Sequence, residues 1–265
     1  MFGRYRFRVQ IPTSGARFVP GHGILSRQAL EQLSEFPDRS PFDMKVDIPD
    51  PKVVRDNSMV IQHLRGDHVQ TPFVSVTADL YRAFSIAAHE IRKSIGRSGP
   101  PTLNPDHVLI FVVDTGRLEN VGLSALEYLT NVPRPKRTEI AAFNKLINSI
   151  NINQEVIIHG GIPEDAIVRQ IPMSRLLPFF PSWFRGPDGH FMLPNLRDQV
   201  HRKWIRACAK KYIAFVKKGG DPKAEARRFA EVLLGDAANV DGEEAIKSLS
   251  ELLETGPKEP SKIDM

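Results

Sequence analysis

The segment NQEVIIHGGIPEDAI, residues 153–167, carries the most specific pattern in the chain. Gln154–Gly160 is apolar and rich in β-branched residues, which predicts a strand. The glycine pair and the proline of GGIP predict that this strand ends in a turn, and Ala166–Ile171 predicts a last strand after it. An acidic residue, Glu155, therefore stands near the start of the first of these two strands.

Three earlier segments also have strand patterns. Arg4–Val9 alternates arginine with Tyr, Phe and Val, which is the period of a half-buried strand. Thr71–Thr77 is short and rich in β-branched residues, so it also predicts a strand. His107–Thr115 is apolar on both faces, and we therefore expect it to lie inside a sheet rather than at its edge.

Apolar residues at helical spacing predict helices between these strands. The predicted helices are a segment from the N-cap Ser26 to Phe36, Leu80–Gly96, Leu123–Leu129 and Glu139–Ile150. Residues 12–23 are rich in proline and glycine, and this composition predicts a loop.

The pattern changes after the last predicted strand. Residues 173–194 concentrate prolines and aromatic residues, which predicts a connector, and residues 195–265 show only helical patterns. One of these helices is predicted over Pro222–Leu234, with Asp221 as its N-cap. Strands with interspersed helices, followed by helices alone, predict an α+β domain over residues 1–172 and a C-terminal helical extension.

Composition and charge are those of a globular protein, because 41% of the 265 residues are apolar and 25% are charged. The basic segment Arg197–Arg228 favours solvated helix faces, and binding of a partner such as nucleic acid by these helices stays open. The one cysteine, Cys208, excludes an intrachain disulfide. Without a long apolar run or a secretory signal, we expect a cytoplasmic protein with no membrane span, with non-classical export left open.

Several common catalytic motifs are missing from the sequence. It contains no G-x-S-x-G elbow, no phosphate-binding P-loop and no G-x-G-x-x-G loop, so an NAD-independent hydrolase is not predicted. The His, Asp and Glu residues have no convincing metal-ligand spacing, and no metal site is predicted.

Three separated fragments form one pattern: RFRVQIP, PFVSVTADLYRA and NQEVIIHGGIPEDAI. In this order they resemble the mono-ADP-ribosyltransferases of the cholera-toxin and heat-labile-enterotoxin A-chain family. The matching positions are Arg8 on the first strand, Ser75-Val76-Thr77 before a helix, and Glu155 ahead of GGIP. The resemblance spans residues 4–171, and it implies split antiparallel sheets with helices and NAD as the substrate.

The resemblance also implies roles for these residues. Transfer of ADP-ribose breaks the bond between nicotinamide and ribose through a transition state that resembles an oxocarbenium ion. Glu155 would bind the ribose 2′-hydroxyl and face the positive charge, while Ser75 and Thr77 would orient the carboxylate or the ribose. Arg8 would hold the diphosphate with its planar fork of donors, and Arg6 is the alternative on the same strand face.

Asn153 stands where arginine-modifying members of that family carry a second acid. A neutral amide cannot accept the proton of a guanidinium, whose pKa lies above about 12. We therefore expect an acceptor other than arginine, either a protein or a nucleic acid, which Asn153 would hydrogen-bond during catalysis. Hydrolysis of NAD is equally compatible. The alternative is a catalytically inactive protein of the same fold that acts as a binding module.

Three histidines lie near these fragments. His63 and His68 both precede the strand that carries Ser75, and the resemblance implies that a histidine at such a position orders the site. His68 is the candidate for this role, and a plain loop position is its alternative. His159, beside the glycine pair, is interpreted as structural.

Overall fold

The computed structural model describes residues 4–37, 58–65, 71–78, 80–93, 103–118, 123–125, 140–153, 155–179 and 210–235. These residues form nine strands in two antiparallel sheets with helices packed around them, so the fold is α+β. No helix in these ranges combines the length and the apolarity that crossing a bilayer requires.

The elements follow each other in an order that mixes strands and helices. The strands are β1 (Tyr5–Gln10), β2 (Arg17–Val19), β3 (Gly23–Leu25), β4 (Phe73–Thr77), β5 (Leu109–Asp114), β6 (Leu123–Ser124), β7 (Glu155–His159), β8 (Gly161–Ile162) and β9 (Ile167–Pro172). The helices are α1 (Arg27–Glu35), α2 (Ser58–Arg65), α3 (Leu80–Lys93), α4 (Ile140–Asn153), α5 (Met173–Leu176) and α6 (Pro222–Leu234). The larger sheet has the order β6-β7-β4-β1-β5-β9, and the smaller sheet has the order β2-β3-β8.

Most predicted elements are confirmed. Strand β5 lies between β1 and β9, as its apolar faces predict. The hydroxyl of Ser26 accepts a hydrogen bond from the backbone N–H of Ala29 at 3.1 Å, and α1 begins at the next residue after this N-cap. Helix α6 has the predicted bounds, and the Asp221 carboxylate accepts from two backbone N–H groups of its first turn.

Two local predictions are wrong in part. Residues 12–23 are not one loop, because β2 lies within them and β3 begins at their end. Gly21, in the turn of the β2–β3 hairpin, and Gly23, the first residue of β3, have φ values of 81° and 96° that favour glycine. The helix predicted over Leu123–Leu129 fails at its start, where Leu123–Ser124 pairs with β7 as a strand. The part of that prediction after Ala125 lies outside the described residues.

GGIP joins the larger sheet to the smaller one. Gly160, with φ 75°, lets the chain turn directly from β7 into β8. β8 pairs with β3 through Ile24 and Ile162. A Cβ atom at Gly23 would collide with the carbonyl oxygen of Ile162, so the close approach of these strands requires glycine there. The position of β7, and of Glu155 at its start, is thereby fixed by both sheets.

Hydrophobic clusters cover both faces of the larger sheet. The inter-sheet core fills the space between the two sheets and includes Ile24, Val76, Phe111, Val113 and Ile162. The helix-side core lies under α3, α5 and α6 and includes Tyr5, Phe7, Phe84, Phe229 and Leu233. Helix α6, from the predicted extension, therefore packs in the same cluster as strand β1.

Candidate active site

Strands β1 and β4 separate after a short contact, and this fork forms the candidate site. β1 pairs with β5 from Tyr5 to Gln10, whereas its described pairing with β4 consists of Phe7 opposite Thr77. β4 meanwhile stays paired with β7, where Thr77 lies opposite Glu155. Directly paired residues share a face of the sheet, so Phe7, Thr77 and Glu155 all project to the side covered by α3.

Arg8 spans the fork. Its Nη1 donates to the backbone carbonyl of Ser75 on β4 at 2.7 Å, and its Nη2 donates to the carbonyl of Ala16 at 3.1 Å. The side chain thus takes the place of the missing ladder between the two strands. Its Nε is buried and has no hydrogen-bond partner among the described residues. Burial lowers the pKa of Arg8 to about 10, against the opposing effect of Glu155, so the guanidinium stays charged at neutral pH.

Glu155 is held by Ser75 on the neighbouring strand. The Ser75 hydroxyl donates to Oε1 of Glu155 at 2.5 Å. Burial raises the pKa of the Glu155 carboxyl, while the hydrogen bond from Ser75 and the charge of Arg8 act in the opposite direction. The net pKa lies above its usual value, because desolvation outweighs the two favourable interactions.

His63 on α2 completes a chain of hydrogen bonds behind Ser75. Its Nε2 lies 2.7 Å from the Ser75 hydroxyl oxygen, and its Nδ1 lies 2.7 Å from the Thr71 hydroxyl oxygen. Burial, together with the charge of Arg8, lowers the pKa of His63 to about 4, so the imidazole is neutral at pH 7.

The hydrogen-bond partners of the two ring nitrogens determine which of them carries the hydrogen. The Ser75 hydrogen is directed at Glu155, so the Ser75 oxygen accepts a hydrogen bond and Nε2 of His63 donates it. Nδ1 then carries no hydrogen and accepts from the hydroxyl of Thr71. The relay therefore runs from Thr71 through His63 and Ser75 to Glu155, and every donor in it points toward the carboxylate.

A cavity of about 190 Å³ opens at the fork. Its accessible wall is more apolar than polar, and it is lined by Phe7, Arg8, Val9, Ser75, Val76, Thr77, Ile86 and Glu155. This volume is below the roughly 300 Å³ at which pockets for drug-sized ligands begin, so it fits one end of a larger ligand. Among these lining residues, Arg8, Ser75, Thr77 and Glu155 have polar side chains.

The structure brings together most of the predicted site residues. Arg8, Ser75, Thr77 and Glu155 line the same cavity. Asn153 is the last residue of α4, two residues before Glu155, and its side chain is outside what the structure describes.

The alternative arginine takes a different position. Arg6 donates from Nη1 to the carbonyl of Tyr5, its own neighbour, and does not line the cavity. Between the two candidates on β1, the geometry therefore favours Arg8.

The histidine next to Ser75 is the one that the sequence did not favour. His68 lies outside the described residues, and His63 makes the contact with Ser75. The missing signal was helix α2, which has no counterpart among the predicted helices and which places His63 behind β4. His159 packs edge-on against the Phe73 ring, with centroids 5.7 Å apart, and does not line the cavity.

Within the described ranges, no group of three His, Cys, Asp or Glu side chains is arranged to hold a metal ion. The polar groups of the cavity are instead suited to an organic ligand that carries hydroxyl groups and negative charge. Arg8 supplies fixed positive charge, and Glu155 supplies an acceptor in an apolar surrounding.

The fold and the cavity define an α+β domain with a carboxylate, a guanidinium and two hydroxyl groups at a strand fork. Residues 2–176 match the family described as Domain of unknown function (DUF7587), and the chain belongs to this family. The matched segment contains every residue that lines the cavity, and it ends before α6. No curated protein and no solved structure matches the chain.

Proposed function

We propose that the chain is an NAD-dependent mono-ADP-ribosyltransferase, or an NAD glycohydrolase, of the enterotoxin A-chain type. The observation that carries the proposal is the meeting of Arg8, Ser75 and Glu155 around one cavity. These residues come from three fragments far apart in the sequence, and each fragment carries a residue type that this chemistry needs. The antiparallel sheets, divided into a larger and a smaller one, agree with the expected split arrangement.

Glu155 would act on the ribose of NAD. An ionised carboxylate next to the ribose accepts a hydrogen bond from its 2′-hydroxyl and stabilises the positive charge that develops as the nicotinamide leaves. The low polarity around Glu155 strengthens this interaction relative to water. Ser75 and the neutral His63 keep the carboxylate in one orientation, so little reorganisation is needed in the transition state.

Arg8 and the apolar wall would bind the rest of the ligand. Two of the five N–H donors of Arg8 are used on backbone carbonyls and its Nε–H is buried, which leaves the second hydrogen on each Nη for phosphate oxygens. Val9 and Ile86, which line the cavity and are only partly buried, provide the apolar surface on which a planar nicotinamide packs.

The acceptor is proposed to be something other than arginine. Asn153 precedes Glu155 at the position of the missing second acid, and an amide there hydrogen-bonds an acceptor without taking its proton. Nucleic-acid bases, protein amides and water remain as acceptors. An arginine acceptor would need another base to compensate for this neutral residue.

One observation favours the alternative of a catalytically inactive binding module. The two hydrogen bonds of Arg8 to the carbonyls of Ser75 and Ala16 tie the fork together, and this structural role would be kept without any catalysis. Such a protein would bind a partner at the cavity and leave NAD intact.

The test is incubation of the 265-residue chain with NAD labelled in the adenylate moiety, together with an arginine-rich protein, single-stranded nucleic acid or no acceptor. The proposal predicts release of nicotinamide, with label on nucleic acid or in free ADP-ribose. Efficient labelling of arginine would contradict the proposed acceptor. Intact NAD in all three mixtures would favour the binding module.

A further inference from the structure

Helix α6 lies beyond the segment that matches the family, yet it is part of the core behind the cavity. Its residues Phe229, Ala230, Leu233 and Leu234 are at most 2% exposed. They belong to the helix-side core, which also contains the cavity-lining residue Phe7. One continuous hydrophobic cluster therefore reaches from α6 to the cavity wall.

The sequence defines α6 as a complete helix with its own start and stop. The Asp221 carboxylate accepts from the backbone N–H groups of Lys223 at 2.9 Å and Ala224 at 3.2 Å. Pro222 occupies the first helical position, and Gly235 ends the helix at φ 59°. Neighbouring residues thus determine where the helix begins and ends. Its four buried apolar residues pack toward the sheet.

The contact between α6 and α3 leads toward the cavity. The rings of Phe229 and Phe84 pack edge to face, with centroids 5.6 Å apart and an interplanar angle of 76°. Phe84 lies on α3, two residues before Ile86, which lines the cavity. Val9, another lining residue, packs against the same cluster.

We propose that Phe229 is a positioning residue, which holds α3 and β1 in place and thereby sets the width of the cavity. The consequence for NAD rests on the proposed function. Protein interiors are close-packed, so loss of the Phe229 ring leaves a void that the surroundings fill only in part. Helix α3 then shifts or loosens, and Ile86 and Val9 no longer fit against the ligand. The active domain of this protein therefore includes a helix outside its matched family segment.

The test uses the variants Phe229→Ala and the milder Phe229→Leu in the 265-residue chain, with Ile24→Ala as the control. Ile24 is fully buried in the inter-sheet core and does not line the cavity, so its truncation costs packing without touching α3. Amide hydrogen exchange in Leu80–Lys93 is compared at matched stability. We expect at least about fivefold faster exchange in α3 for the Phe229 variants. Unchanged exchange there, or an equal change in Ile24→Ala, would overturn the inference.

Kinetics provide the second readout. The Phe229 variants are expected to raise KM for NAD by about fivefold with kcat changed by less than about twofold. Equal losses in kcat for the Phe229 variants and the control, without a change in KM, would contradict the positioning role. If the native protein releases no nicotinamide, the proposed function fails, while the exchange experiment still decides whether Phe229 positions α3.

Discussion

The hydroxyl of Ser75 donates a hydrogen bond of 2.5 Å to Oε1 of Glu155, across the neighbouring strands β4 and β7. The two residues are separated by 80 positions in the chain and meet because these strands pair along their whole length. His63 approaches the same hydroxyl from behind, and Arg8 holds the carbonyl of Ser75 from the other side of the fork. Ser75 is therefore the residue through which the charged groups of the cavity are connected.

Replacement of Ser75 by alanine is expected to reduce nicotinamide release by about 10- to 100-fold, because a hydrogen bond to a charged group is lost. The pKa of Glu155 should rise further, since the Ser75 hydroxyl lowers it in the native protein. The measurement is kcat against pH, in which the acidic limb moves to higher pH. Ser34→Ala, at an exposed serine of α1, serves as the control. An acidic limb at the same pH in Ser75→Ala and the native protein would show that Ser75 does not affect the pKa of Glu155.

Glu155 is expected to lower stability at neutral pH while supporting catalysis. Its pKa in the folded chain is raised above the usual 4.5, so the folded protein binds more protons than the unfolded chain in the window above 4.5. The free energy of unfolding should therefore fall as pH rises through the pKa of the folded state. Glu155→Gln removes this slope and should be more stable than the native protein at pH 7. Denaturant unfolding at pH 4 to 8 measures the difference, and equal slopes in both proteins would contradict the account.

Lysine at position 8 should retain the charge but lose the planar fork. Arg8 donates to the carbonyls of Ser75 and Ala16, and a single ammonium group cannot reproduce that bidentate geometry. Arg8→Lys is expected to raise KM for NAD by about tenfold, and Arg6→Lys is expected to leave KM nearly unchanged. Michaelis–Menten kinetics of both variants provide the comparison. A larger rise in KM for Arg6→Lys than for Arg8→Lys would indicate that Arg6, and not Arg8, binds the diphosphate.

His63 should influence both catalysis and the acid stability of the protein. Its pKa is lowered from 6.5 to about 4, so between these values the unfolded chain takes up a proton that the folded chain does not. Stability should therefore fall as pH decreases from 6.5 toward 4, and His63→Gln should remove that part of the decline.

The kinetic expectation for His63 follows from its hydrogen bonds to Ser75 and Thr71. His63→Ala should lower kcat by about tenfold, and His63→Gln should recover part of the loss, since an amide supplies one donor and one acceptor. Equal activity of the alanine variant and the native protein would show that Ser75 is oriented without His63.

Local signals in the sequence were sufficient for several elements. The alternation around Arg8, the β-branched run around Ser75 and the GGIP turn after Glu155 each correspond to an observed strand. Helix α6 could be predicted to the residue because its cap at Asp221 and its stop at Gly235 depend only on neighbouring residues.

Features that depend on distant contacts were not predictable. The hairpin of β2 and β3 looks like a loop, because its strands are three residues long and are stabilised by pairing with each other and with β8. The choice of His63 over His68 as the neighbour of Ser75 depends on where α2 packs, which no local pattern specifies. The burial of Phe229 against Phe84 joins residues more than a hundred positions apart.

The most direct test of the proposed function is the rate of nicotinamide release from NAD by the native protein and by Glu155→Gln. Glu35→Gln, at an exposed carboxylate at the end of α1, is the matched control. The account predicts a measurable rate for the native protein and the control, and a loss of about 100-fold or more for Glu155→Gln, which keeps the side-chain volume and removes the charge. A Glu155→Gln rate equal to that of the native protein would remove Glu155 from the mechanism and contradict the account.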